Sequence, residues 1–296
     1  MADRILAPEL IAPLPVDGVD YYGLGGLPNP QILASAGFFV PGYLEQPNAD
    51  WVVSLPNVEV VQLLTIGYDY AIAHVRPGVT LCNAAGVHEQ STAELAVGMI
   101  IARWRGVDRA ARDMESGTWD HRRGRSLQDA RVVIVGAGGV ASRIADSLAP
   151  FGCSTQLVGR TARAGVASAD ELPSLVAEAD VVVLAVPLTP QTEGMVDEAF
   201  VKRMRDGALL VNVARGSVVR TDALLAELPR IEAALDVVDP EPLPAEHPLW
   251  TAPGVLITPH IGGDSDAFPR LARRLIADQV RRWRGGEPLV NVIVGS

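Results

Sequence analysis

Apolar and polar positions alternate along this chain in two different rhythms. From Arg131 onward, short unbroken runs of Val, Ile, Leu and Ala are separated by stretches whose apolar residues recur every three or four positions. Unbroken apolar runs mark strands buried on both faces, and the three-to-four spacing marks helices. The runs fall at residues 132–135, 155–158, 181–186, 208–213, 232–235 and 255–258. Such alternation predicts α/β architecture, with a Rossmann-type doubly wound parallel sheet. Upstream, shorter apolar runs occur at Arg4-Ile5-Leu6, Trp51-Val52-Val53, residues 58–64 and Val79-Thr80-Leu81, separated by Pro- and Gly-rich turns such as residues 23–30. They predict a smaller, flavodoxin-like α/β domain. Residues 89–116 predict one long helix, closed by Gly117. Residues 264–285 predict a basic amphipathic helix that returns to the first domain. The expected division is therefore a discontinuous domain of residues 1–89 and 266–296, and a second of residues 90–265.

The first strand of the second domain runs into Gly136-Ala137-Gly138-Gly139-Val140-Ala141 and then into a helical pattern. A strand, a glycine turn and a helix in this order make a dinucleotide-binding unit. Gly136 permits the tight turn, Gly138 lets backbone approach a pyrophosphate, and Ala141 lets helix and strand pack. The helix N-terminus, with Gly139 and Val140, offers amide N–H groups and a positive dipole end to phosphates. NAD-binding units place an Asp or Glu at the end of the second strand, for the ribose 2′-hydroxyl. Here that place holds Arg160, Thr161 and Arg163. Two guanidinium groups and a hydroxyl suit a 2′-phosphate, so NADP is expected before NAD.

Composition narrows the class further. The chain has 296 residues, more than one core usually serves, and few aromatics, as parallel sheets covered by helices require. A net charge of −10 argues against nucleic acid or an anionic membrane surface as partner. Cys82 and Cys153 lack metal or redox spacing, and the first residues lack a cationic-then-apolar signal pattern. A reduced, cytoplasmic setting with no metal is the expectation. No apolar stretch has the length of a membrane span.

Three late strands end in polar residues. Asn212-Val213-Ala214-Arg215-Gly216 follows the fourth, residues 236–243 follow the fifth, and Thr258-Pro259-His260-Ile261-Gly262-Gly263 follows the sixth. Ligands of doubly wound sheets sit at the carboxyl ends of strands. Arg215 there would bind a carboxylate and polarise a carbonyl oxygen. His260 would exchange a proton with that oxygen near neutral pH. Glu241 would orient the imidazole and favour its charged form; Asp239 is the weaker candidate for that place.

With these residues in view, the chain resembles the D-isomer-specific 2-hydroxyacid dehydrogenases, over nearly its whole length. Gly67-Tyr68-Asp69, Thr92-Ala93-Glu94, the glycine turn, the loop Val186-Pro187-Leu188-Thr189-Pro190-Gln191-Thr192, and the Arg215, Glu241 and His260 segments occur in the family's order. The resemblance implies that Arg215, Glu241 and His260 are catalytic. It places Pro187, Thr192 and Ala214 against the cofactor and Asp236 on the nicotinamide carboxamide. It assigns the substrate carboxylate to the backbone of Ile66 and Gly67, with Arg215. Arg160 departs from the acidic residue of NAD-preferring members. Because the chain ends without the extra domain of some phosphoglycerate dehydrogenases, glyoxylate and hydroxypyruvate reductases are the expected relatives, as a homodimer. A cofactor-sensing, corepressor-like binding protein of the same fold and a phosphoglycerate dehydrogenase-like enzyme stay open. Formate oxidation is disfavoured, because its members pair the histidine with glutamine.

Other residues are read more plainly. His74, His88, His121 and His247 are expected to be surface or structural, Trp119 and Trp250 to pack, and Arg122, Arg123 and Arg125 to form a solvated face.

Overall fold

The computed structural model describes residues 3–23, 30–43 and 55–295. The chain divides into two compact units, Met1–His88 with Asp264–Ser296, and Glu89–Gly263.

The first unit is built on a six-stranded sheet. Its strands are β1 (Arg4–Pro8), β2 (Val19–Tyr22), β3 (Ala36–Phe39), β4 (Val60–Gln62), β5 (Thr80–Cys82) and the C-terminal β13 (Val292–Val294). Their order is β13-β5-β4-β3-β1-β2, parallel throughout except for β13 against β5. Both faces are covered, which is why Ile5, Leu6 and Ala7 run consecutively and are all fully buried. The helix Phe268–Gly285 lays Phe268, Ala272, Ile276 and Val280 on one face, a four-residue spacing that makes a single stripe. The strand read at Trp51-Val52-Val53 lies outside the described residues, as does most of the turn at residues 23–30.

The second unit carries a seven-stranded parallel sheet. Its strands are β6 (Arg131–Val135), β7 (Ser154–Val158), β8 (Val166–Ala167), β9 (Val181–Leu184), β10 (Leu209–Asn212), β11 (Glu232–Leu235) and β12 (Val255–Ile257). The order is β12-β11-β10-β9-β6-β7-β8. From β6 the chain steps outward through β7 and β8, then returns to β9 and steps outward the other way. The reversal lies between β6 and β9, where doubly wound sheets bind ligands. Six of these strands are the six apolar runs. The seventh, β8, is a two-residue edge strand that carries no pattern of its own.

Three expectations are corrected here. The single helix over residues 89–116 is two, Glu89–Arg105 and Val107–Glu115, because Gly106 adopts a left-handed φ of 67° between them. The apolar spacing continues through the break, so periodicity alone could not show it. Trp119 does not pack: it is 96% exposed, in the irregular segment after the second of these helices, and Trp250 is half exposed with its Nε1–H donating to Pro244 O. Arg125 is no solvated residue. Its guanidinium lies 4.2 Å over the Trp104 ring, donates to Gly207 O and pairs with Asp180. Asp180, nearly buried, also takes Arg205 and the backbone N–H of Arg131, so one carboxylate ties three segments at the amino ends of β6 and β9.

Candidate active site

The glycine turn is shaped by contact with the neighbouring strand end. Gly136 leaves β6 with φ 132°, and a Cβ there would overlap the Ala185 carbonyl. The helix Gly139–Leu148 starts directly after Gly138, where a Cβ would meet no atom within 4 Å among the described residues. The turn's backbone is thus open on that side, and the first amide N–H groups of the helix have no intrahelical acceptor. Ala141 is fully buried against the sheet. At the end of β7, Arg160 and Thr161 are exposed. Arg163 donates to Ala137 O at 2.9 Å, tying its loop to the glycine turn. Arg160 makes no hydrogen bond or ion pair among the described residues. In the loop after β9, Thr192 Oγ1 donates to Pro187 O at 2.7 Å and accepts from Thr189 N at 2.8 Å, so its hydroxyl closes the loop on itself.

At the ends of β10, β11 and β12 the three candidate residues come together. Asn212, fully buried, holds the first turn: its Nδ2 donates to Arg215 O, and its Oδ1 accepts from Ala214 N. Gly216 lies so close to the next loop that a Cβ would overlap the Val238 carbonyl and come within 2.7 Å of Asp239 N. In that loop Glu241 Oε1 accepts from Val238 N at 2.9 Å, and Oε2 bonds His260 Nδ1 at 2.8 Å. Glu241, not Asp239, is therefore the partner of the histidine. His260 itself has φ 53°, and its N–H donates to Asp236 O at 2.8 Å. Asp236, expected on the nicotinamide carboxamide, has its carboxylate engaged by the His260 turn of its own unit. Only 3% exposed, its carboxylate accepts from Thr258 Oγ1, Ile261 N and Gly262 N.

In the other unit, the loop after β4 carries Ile66 and Gly67. Asn83 Nδ2 donates to Ile66 O at 2.8 Å, and Thr65 Oγ1 donates to Gly67 O at 2.7 Å. Asn83 O in turn accepts from Gln62, which Gln279 holds through a second buried amide. Asn83 and Thr65 were not singled out in the sequence; a polar residue at the end of an apolar run was their only signal.

Residues 97–262, more than half of the chain, match the model of the D-isomer specific 2-hydroxyacid dehydrogenase NAD binding domain. The chain belongs to this family. It is 33% identical to human glyoxylate reductase/hydroxypyruvate reductase over 249 residues, 79% of this chain and 76% of that protein. It is 30% identical over 259 residues to the D-3-phosphoglycerate dehydrogenase of Methanocaldococcus jannaschii, 82% of this chain but 49% of that one. The solved D-isomer specific 2-hydroxyacid dehydrogenase of Xanthobacter autotrophicus Py2, in complex with NADPH and MES, is 28% identical, with a TM-score of 0.83 over 98% of each chain.

This dehydrogenase is an NAD(P)-dependent oxidoreductase, and the open backbone at Gly138, followed by helix amides that lack intrahelical acceptors, fits a dinucleotide pyrophosphate. The electrostatics around His260 suit proton transfer. The Glu241 hydrogen bond raises the imidazole above its ordinary pKa against the pull of burial, Glu241 and Asp236 charges add to the rise, and Arg215 opposes it. Burial pushes Glu241 up, but the bonds from His260 and Val238 N, with the charges of His260 and Arg215, hold it below the usual carboxylate range. The pair is thus poised as imidazolium and carboxylate.

The remaining histidines have structural places. His88 is buried, its Nε2 against Leu64 O and its ring beside Tyr43 and Phe268; His247 Nδ1 accepts from Leu249 N; His74 and His121 are exposed. Among the described residues no group of His, Cys, Asp or Glu could hold a metal ion, and no helix is long and apolar enough to cross a membrane.

Proposed function

We propose that this dehydrogenase reduces small 2-oxo acids of the glyoxylate and hydroxypyruvate class to D-2-hydroxy acids, with NADPH as reductant. The observation that carries the reading is the 2.8 Å bond between His260 Nδ1 and Glu241 Oε2, with the charge of Arg215 near both. The reduced nicotinamide, when bound, supplies the hydride to C2. His260 gives its Nδ1–H to Glu241, which leaves Nε2–H to pass a proton to the carbonyl oxygen. Arg215 binds the carboxylate and stabilises charge growing on that oxygen. Ile66 and Gly67 keep their assignment to the substrate carboxylate, supported by the two side chains that fix their carbonyls.

Preference for NADPH rests on Arg160 and Thr161, exposed at the end of β7 where a ribose-binding carboxylate would otherwise stand. Arg163, held by Ala137 O, orders that loop. A charged hydrogen bond contributes about 1.5–3 kcal/mol, and screening at an exposed site brings it towards the lower end. One such bond gives roughly tenfold discrimination. The test is kcat/KM for glyoxylate, hydroxypyruvate and, in the oxidative direction, D-3-phosphoglycerate, each with both cofactors. NADPH should be favoured about tenfold and Arg160→Asp should reverse the order, since it adds a ribose acceptor and a repulsive charge together. Equal use of NADH by the wild type would overturn the cofactor reading. Fastest turnover of D-3-phosphoglycerate would move the substrate class, and no turnover at all would favour a cofactor-sensing binding protein.

The assembly is read as a homodimer. Val107, Met114 and Trp119 are exposed by 55%, 80% and 96% along one segment of the second unit, more apolar surface than a solvated helix end needs. Light scattering at micromolar concentration should give twice the mass of one chain; a monomer would refute it. Two cysteines without a disulfide, Cys82 and Cys153, support a cytoplasmic setting.

A further inference from the structure

The backbone at His260 is unusual, and contacts to the backbone and carboxylate of Asp236 surround it. With φ 53°, His260 occupies the left-handed region that residues bearing a Cβ disfavour. Such a conformation persists only where surrounding contacts over-determine it. The contacts converge on Asp236. The peptide N–H of His260 donates to Asp236 O at 2.8 Å, that of Ile261 to Oδ1 at 2.9 Å, and that of Gly262 to Oδ2 at 2.9 Å. Thr258 Oγ1 donates to Oδ1 at 2.7 Å from the other side of the turn. Three successive amides and a hydroxyl thus bind one residue that is 3% exposed. The close approach also explains a glycine: a Cβ at Gly262 would come within 2.8 Å of Asp236 Oδ2.

We infer that Asp236 is a positioning residue, whose carboxylate fixes the backbone of the His260 turn and so sets the direction of the imidazole. The inference rests on the reading of His260 as proton donor. An amide cannot replace this carboxylate. In Asp236→Asn the remaining oxygen can still serve Thr258 and Ile261, but an NH2 group would face the N–H of Gly262, donor against donor. Two consequences follow. The turn relaxes, and the negative charge of Asp236 on His260 disappears. The charged groups facing the imidazole are Glu241, Arg215 and Asp236, and losing the last removes one of the two that favour its protonated form.

The test compares Asp236→Asn and Gly262→Ala with wild type, in glyoxylate reduction with NADPH. Asp236→Asn should lower kcat roughly 10- to 100-fold while the KM for NADPH changes by about twofold at most. The pH at which reduction fails should move lower. Gly262→Ala displaces the carboxylate without removing its charge, so it should lower kcat with that pH unmoved. A raised KM for NADPH at unchanged kcat in Asp236→Asn would overturn the inference and make Asp236 a cofactor contact. Wild-type kinetics in both variants would also overturn it. If Asp236→Asn does not fold, Gly262→Ala decides alone. His260→Ala, run beside them, separates the two levels: near-normal turnover there removes the proton-donor reading itself, whereas a dead His260→Ala with two normal variants removes only the role of Asp236.

Discussion

Replacing His260 with Ala should lower kcat for 2-oxo acid reduction by roughly 10²–10⁴-fold, the scale of general acid–base catalysis. The fold should survive, because the side chain is 48% exposed and its hydrogen bond is to Glu241. The pH dependence gives a second check. Reduction needs the imidazolium, and Glu241 holds that charged form to higher pH than an ordinary histidine. Reduction should therefore persist above the usual histidine range and fail as pH rises through the raised pKa. Oxidation, which needs neutral imidazole, should gain through the same interval. Glu241→Gln removes the largest cause of the rise, so the failure of reduction should move to lower pH. The measurement is kcat against pH in both directions for wild type and the two variants. Near-normal turnover in His260→Ala would mean that another group gives the proton.

Gly216→Ala should be nearly as damaging, although Gly216 has no side chain to contribute. Its added methyl group would overlap the Val238 carbonyl and crowd Asp239 N. The atoms in the way are backbone, so one of the two loops must shift by about an ångström. Those loops carry Arg215 on one side and Glu241 on the other. Displacement by about 1 Å at reacting groups costs on the order of 100-fold in rate, and overpacking costs about 1–3 kcal/mol in stability. We expect kcat/KM to fall about 100-fold, with a lowered urea midpoint. Since Gly216 has no left-handed φ, backbone strain plays no part, and unchanged kinetics would show that the loops separate freely.

The sequence made the second unit's sheet and the three candidate residues legible for one physical reason. Parallel strands buried on both faces must be apolar throughout, so Asn212, Asp236 and Thr258 stand out where each run stops. The same rule hid β8, whose two residues are too few to form a run. It also hid the break at Gly106, since a left-handed glycine leaves the apolar spacing on either side intact. Side chains whose roles depend on distant partners were the least legible. Arg125 looked solvated among Arg122 and Arg123 until Trp104, Asp180 and Gly207 were placed around it. Asp236 was recognised as belonging to the site, but the direction of its carboxylate depends on the N–H groups of Ile261 and Gly262, which no pattern of residue types reveals.

The exposure of Arg160 has a consequence for how this enzyme can change over generations. Gly136, Gly216 and Gly262 are each wedged against backbone or a buried carboxylate, so substitution there is resisted by folding itself. Arg160 stands outside that web. It is exposed, at a strand end, with no hydrogen bond or ion pair among the described residues. A substitution at such a position shifts stability by no more than about 0.5 kcal/mol in either direction. On the proposed cofactor reading, selection can retune which reductant pool this chain draws on by altering one codon, while the residues proposed for proton transfer stay untouched.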